Sequence, residues 1–376
     1  MKKYNWIDFG RAIAILLVIL VHVGQKFSNS NFLSSIIKMG DMGVQLFFIL
    51  SSITLFNSFE NRFEKDGCNR NKFFFIRRFF RIAPIYYLSA IFYTLIKISE
   101  TGFSSVSYWM VIVNLLFLNG LILPAINYIP PGGWSIGTEM IFYCTIPLLF
   151  KYVKSVKKSF YLLIISIIIS NLFNYFDRYF ITNFTKYNYD NLRGWKFFYF
   201  WFPNQFPVFC FGILLYNLFK STVNFLINYK NIIIIISILL FFLLSKIPYS
   251  NKYPMYFLQR EYIYSVVFCL FIIGIKEYSF SNKLSSIFLL IGKYSFCMYL
   301  SHFFIIKVFS FFLKIIALQF NFFLCYIIVV SSTFILSKWV YKLEKRGIDY
   351  GNNLINKLNM SYSSTNKLNS KQSDIC

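Results

Sequence analysis

The feature that most constrains this chain is a succession of apolar runs, each about as long as a helix needs to be to cross a bilayer. The first runs from Ile7 through Val21. Lipid cannot hydrogen-bond to the backbone, so such runs must satisfy their amides internally, as helices. The pattern predicts an all-α polytopic membrane protein of about ten transmembrane helices. The lipid bilayer is then its first partner. Charged residues make up 14% of the chain, against about 25% in average globular domains.

Basic residues fix the expected topology. The net charge is +24, but Lys and Arg gather at the ends of apolar runs, as the positive-inside rule and anionic headgroups require. No nucleic-acid partner is needed to explain them. Helices are expected near 9–27, 40–57, 82–98, 134–150, 159–176, 199–219, 231–247, 259–275, 287–313 and 322–341. The loop 58–81 carries seven Lys and Arg residues and should be cytoplasmic, as should Lys151–Lys158. A full crossing at 108–123 would put Lys151–Lys158 outside. That segment is therefore expected to be re-entrant or interfacial.

Lys2-Lys3 before an apolar stretch imitates a signal peptide, without a small-residue cleavage site. A retained first helix is expected, with both termini cytoplasmic. Residues 1–350 form one integral membrane domain, followed by a polar, disordered cytoplasmic tail at 351–376. The loop 177–198 should face outward. The seven cysteines show no CxxC pairing. They read as small apolar residues, with no metal site and no bound cofactor implied.

Four stretches carry chemistry. In the first, Asp8, Arg11 and His22 fall within about 60° of one another on a helix. His22 is one of two histidines, and an ionisable ring in an apolar segment marks a functional site by default. The plainer alternative is a neutral imidazole that joins helices. In the second, Arg77, Arg78 and Arg81 cluster before Pro84, where guanidinium groups suit phosphates. An ordinary positive-inside cluster is the alternative.

The third stretch, Pro131 to Pro147, places Ser135, Glu139 and Tyr143 four residues apart beside Trp134. Its alternative is an interfacial Trp belt with a snorkelling Glu. In the fourth, Ser295, Tyr299 and His302 form a narrow polar stripe on an apolar helix. This suits a cavity wall or a hydrogen-bond cluster between helices.

Together these stretches resemble the membrane-bound acyltransferase family 3, bacterial O-acyltransferases that modify surface glycans. The family's opening LDGLRAIAxxxVxxxH is similar to Ile7 through Ala14 with His22, and its FFxxSGF to Phe47 through Ile53. Its RRxxRIxPxY, WSLxxExxFYxxxP and GxxSYxxYLxH stretches resemble Arg77–Tyr86, Trp134–Pro147 and Gly292–His302. The closing YxxxEK is similar to the run Tyr341 to Lys345. Gln45 and Ser52 depart from the usual Asp and Gly.

The resemblance implies an O-acetyltransferase of the bacterial inner membrane. Acyl-CoA, usually acetyl-CoA, would be the cytoplasmic donor. A glycan or lipid-linked oligosaccharide would be the acceptor, with assembly into a homo-oligomer left open. It implies His22 and Glu139 as catalytic, and Arg11, Arg77, Arg78 and Arg81 as donor-binding. Asp8, Trp134, Ser135, Tyr143, Ser295, Tyr299 and His302 would support them. The competing function is a polysaccharide or lipid-linked sugar flippase that uses His22 and Glu139 as a proton relay.

Overall fold

A computed structural model describes residues 4–27, 34–184, 197–221, 228–246, 259–316 and 320–369. Every regular element among them is helical. The longer helices are α1 (Asn5–Phe27), α2 (Gly43–Asn61), α3 (Arg70–Thr101), α4 (Tyr108–Leu115), α5 (Gly133–Tyr152) and α6 (Val156–Phe184). They continue as α7 (Phe202–Lys220), α8 (Lys230–Lys246), α9 (Arg260–Lys276), α10 (Lys283–Ile315) and α11 (Phe322–Asn369). Six helical stretches among the described residues are long and apolar enough to cross a membrane. They contain α1, α2, α3, the first part of α6, α10 and most of α11. The shorter α5, α7, α8 and α9 have 17 to 20 residues each.

Side-chain contacts give the bundle two distinct ends. At one, Trp6 of α1 meets Phe219 of α7 at 5.9 Å, and Lys220 pairs with Glu60 at the end of α2. Arg81 of α3 pairs with Glu344 of α11, and Lys276 at the end of α9 lies over Phe219. Asn217 Nδ2 donates to Ser159 Oγ near the start of α6 and to Val153 O beyond α5. At the other end, Arg260 pairs with Asp41 at 2.9 Å and Lys307 with Glu100 at 2.5 Å. Most of the clustered Lys and Arg residues noted in the sequence lie at the first end.

Three elements differ from expectation. The basic stretch 70–81, expected as loop, forms the first turns of α3. Its 32 residues rise about 48 Å, well beyond the ~30 Å hydrocarbon thickness, so the helix begins outside the apolar layer. The last helix does not stop near residue 341 but continues to Asn369. Helix therefore replaces the disordered tail expected from 351, as far as 369. Its reason is packing: Gly351 lies on the Phe80 ring and Ile355 is buried. The outward loop expected at 177–198 begins as helix, since α6 reaches Phe184; residues 185–196 lie outside the described residues.

The segment 108–123 contains α4, of eight residues, about 12 Å long and too short to cross. Short 3-10 turns follow at Leu118–Gly120 and Leu123–Ala125. Asn114 Nδ2 donates to Ala125 O at 3.0 Å, which folds the segment back on itself.

Small residues set the closest helix approaches. A Cβ added at Gly292 of α10 would stand 1.7 Å from Asp8 O of α1. One added at Gly43 would stand 2.5 Å from Ala14 O. Backbones that close need glycine. The contact at Gly292 holds Asp8, and with it Arg11, against α10.

Candidate active site

At the basic end a cavity of about 320 Å³ opens between α1, α2, α3, α5, α10 and α11. Its walls hold four cations, Arg11, Arg78, Arg81 and Lys293, and three carboxylates, Asp8, Glu139 and Glu344. Charged groups are costly at the membrane edge unless paired or used, so the pairing pattern is informative.

Two arginines have acidic partners. Arg11 Nη1 lies 3.8 Å from Asp8 Oδ1, and Nη2 donates to Thr54 Oγ1 at 3.3 Å. Arg81 Nε lies 3.6 Å from Glu344 Oε1. Arg78 is buried, with 9% of its surface exposed. Among the described residues no carboxylate comes within ion-pair distance of it. Its guanidinium sits 5.7 Å from the Phe74 ring centre and 5.9 Å from that of Tyr143. Cation–π contacts of this kind compensate burial only in part. A buried guanidinium facing a cavity without an acid beside it is a ready anion site.

Glu139 is held by hydroxyls instead of a cation. Ser51 Oγ donates to its Oε1, and Tyr143 OH donates to the same atom at 2.7 Å. Ser135, one turn before, donates to Tyr299 OH at 2.8 Å, and Tyr299 OH donates to Gly132 O at 2.9 Å. Gly132 has φ of +77°, and a Cβ there would touch Tyr299 OH, so glycine fits this position on two counts.

The cavity brings together Asp8, Arg11, Arg78, Arg81, Ser135, Glu139, Tyr143, Ser295 and Tyr299. It does not include His22. That ring stands one layer deeper, about 16 Å along α1 from Arg11. It meets the His302 ring at 5.3 Å and the Phe303 ring at 4.4 Å. His302 is fully buried and 5.7 Å from the Tyr299 ring. Tyr299 thus touches both the cavity and the histidine pair. Asp8, Arg11 and His22 do share one continuous helix, but only Asp8 and Arg11 line the cavity.

A backbone carbonyl fixes the tautomer of one imidazole. His302 Nδ1 donates to Tyr299 O at 2.6 Å, and its Nε2 has no partner among the described residues. His22 Nδ1 lies 3.1 Å from Gln25 Oε1, with which it shares a hydrogen bond. Two expected site residues lie elsewhere. Arg77 pairs with Asp66, and Trp134 is buried against Phe200, Tyr199 and Phe48.

The cavity also uses residues to which the sequence reading gave no role: Ser51, Thr54, Lys293, Tyr341 and Glu344. One signal was available. Tyr341, Glu344 and Ile348 share a helical face at spacings of three and four, but they lie past the end of the apolar run.

The arrangement has a mouth lined by guanidiniums, a hydroxyl-held carboxylate in the wall, and two imidazoles further in. Such a set of groups suits either acyl or phosphoryl chemistry. Comparison with known families selects the first. A family model described as an acyltransferase domain matches residues 4–342, and the chain belongs to acyltransferase family 3. No curated protein and no solved structure matches it at a meaningful level.

Proposed function

We propose that this chain is an integral membrane O-acyltransferase with ten alternating spans and the basic end in the cytoplasm. It moves an acyl group, acetyl in the simplest case, from cytoplasmic acyl-CoA to a sugar hydroxyl of a surface glycan or its lipid-linked precursor. The observation that carries this is Arg78, a buried guanidinium with no acidic partner among the described residues, facing the same cavity as Glu139. A flippase for lipid-linked sugars would also find use for such a group, on the phosphate of its substrate, so it is the match to an acyltransferase family that favours acyl transfer.

In this scheme Arg78, with Arg11 and Arg81 beside it, binds phosphate oxygens of the donor. The thioester points inward toward Tyr299. The acceptor hydroxyl approaches from the far side, and His22 takes its proton as oxygen attacks the thioester carbon. The carbon–sulfur bond breaks and the thiolate leaves with the donor. His302 packs on His22 and fixes the ring, and Glu139 supports the cavity side. Tyr299 must move for donor and imidazole to meet.

The test uses membrane vesicles from expressing cells, which supply the acceptor, and labelled acetyl-CoA added to the cytoplasmic face. Label should enter the polysaccharide fraction, and His22→Ala should abolish it at equal protein level. Unimpaired labelling by His22→Ala removes the imidazole from the reaction. Glycan movement without donor consumption establishes the flippase instead.

A further inference from the structure

Glu344 is the most deeply buried carboxylate of the cavity, with 3% of its surface exposed. It lies on α11, beyond the apolar stretch of that helix. A carboxylate in such a place is expensive to desolvate, and two groups meet it. Arg81 Nε stands 3.6 Å from Oε1, and Cys297 Sγ of α10 donates to Oε2 at 3.2 Å. One oxygen is thus held by α10 and the other faces α3. The carboxylate bridges the two helices that supply most of the cavity's cations.

The atom that Glu344 faces decides what it does. A guanidinium offers one donor at Nε and four at its Nη nitrogens, in a rigid plane. Glu344 lies nearest the Nε side, and the Nη nitrogens of Arg81 make no hydrogen bond among the described residues. The two-nitrogen Nη edge is the one that grips a phosphate or carboxylate bidentately. The residue therefore neutralises Arg81 in part and turns its gripping edge away from α11. Arg81 is more exposed than Arg78, with 36% of its side-chain surface accessible, so without this anchor it is free to swing to the aqueous side.

We infer that Glu344 is a positioning residue that holds Arg81 by its Nε side, so that the Nη edge is presented to the anionic part of the acyl donor. This rests on the acyl-transfer function proposed above. It assigns Glu344 to donor affinity alone: Glu344 lies at the cytoplasmic mouth with Tyr341 and Ile348, while the histidine pair lies beyond Tyr299. It also makes α11 part of the donor site, since that helix carries the anchor. A purely structural Glu344 would tie α11 to α3 and α10 and would affect all activity in proportion to lost folded protein.

The test is a kinetic cycle in the same vesicles, with acetyl-CoA varied. Glu344→Gln should raise the KM for acetyl-CoA about tenfold, the size expected for losing one charge-assisted contact. Its kcat should stay within about twofold of wild type. Arg81→Lys keeps the charge but loses the fork, and should do the same. The double variant should be no worse than the poorer single, because both changes remove one arrangement.

Glu344→Asp keeps the charge on a shorter arm, and carries the test if Glu344→Gln does not fold. Its KM should lie between those of wild type and Arg81→Lys. An activity-independent readout is the rise in melting temperature of purified protein on adding coenzyme A, which the Glu344 variants should show less than wild type. An unchanged KM in folded Glu344 variants overturns the inference, as do additive effects in the double variant or a loss confined to kcat. Wild-type vesicles that consume no acetyl-CoA overturn the proposed function itself. Wild-type turnover with indifferent Glu344 variants overturns only the positioning role.

Discussion

At the scale of the residue, Arg78 is the cavity cation whose surroundings differ most from those of its neighbours. Its neighbours Arg11 and Arg81 each have a carboxylate at hand, whereas Arg78 has two aromatic faces. A buried charge without a counter-ion lowers stability, so removing it has an unusual signature. Arg78→Ala should leave the melting temperature of purified protein unchanged or raised. At donor concentrations below KM, the transfer rate should fall by about tenfold or more. A large drop in melting temperature would mean that Arg78 holds the fold together and binds no donor. Sequence spacing found Ser135, Glu139 and Tyr143, because one helix presents all three and periodicity is a local property. It could not separate Arg77 from Arg78. These adjacent guanidiniums differ only in what lies opposite, Asp66 for one and the cavity for the other. Trp134 was misjudged for the same reason: its partners, Phe48 and Phe200, come from distant parts of the chain.

At the scale of the element, the site depends on how closely α1 and α10 cross. Gly292 lets the Asp8 carbonyl come nearer than any Cβ allows. Gly292→Ala must therefore push the two helices apart or shift one along the other. Overpacking of this kind costs about 1–3 kcal/mol, and the melting temperature should fall by about 1–4 °C. Asp8, and so Arg11, should be displaced with it, and donor affinity should weaken alongside stability. A Gly292→Ala protein that melts and turns over like wild type would show that this crossing is loose. The existence of most helices was legible from apolar run length, but several ends were not. α3 starts twelve residues before the expected 82 and α11 runs far past the expected 341. The extra turns of α3 interleave arginines with phenylalanines and those of α11 are mostly polar, so hydropathy falls silent where packing continues: Gly347 and Gly351 of α11 lie on Phe80 of α3. That contact places Glu344 opposite Arg81.

At the scale of the whole molecule, the proposed function assigns the donor and the acceptor to opposite ends of the bundle. Four cations line the cavity at the basic end, and the histidine pair lies about 16 Å further along α1. An acyl group must cross that interval, past Tyr299, if a donor from one side is to meet an acceptor from the other. This requires that the ends face different aqueous compartments, and the contacts already order them. Lys154 lies just past α5 at the basic end, whereas Glu100, paired with Lys307, lies at the opposite one. In a cysteine-free background, Lys154→Cys should react with an impermeant maleimide only when the cytoplasmic face is exposed. Glu100→Cys should react only from outside. The pair also tests the segment between α3 and α5, because α4 spans only about 12 Å and leaves both helices to turn at one end. Reaction of both cysteines from one side would mean that 102–132 crosses after all. The basic end of α5 would then face outward, and the cavity could not be filled by a cytoplasmic donor.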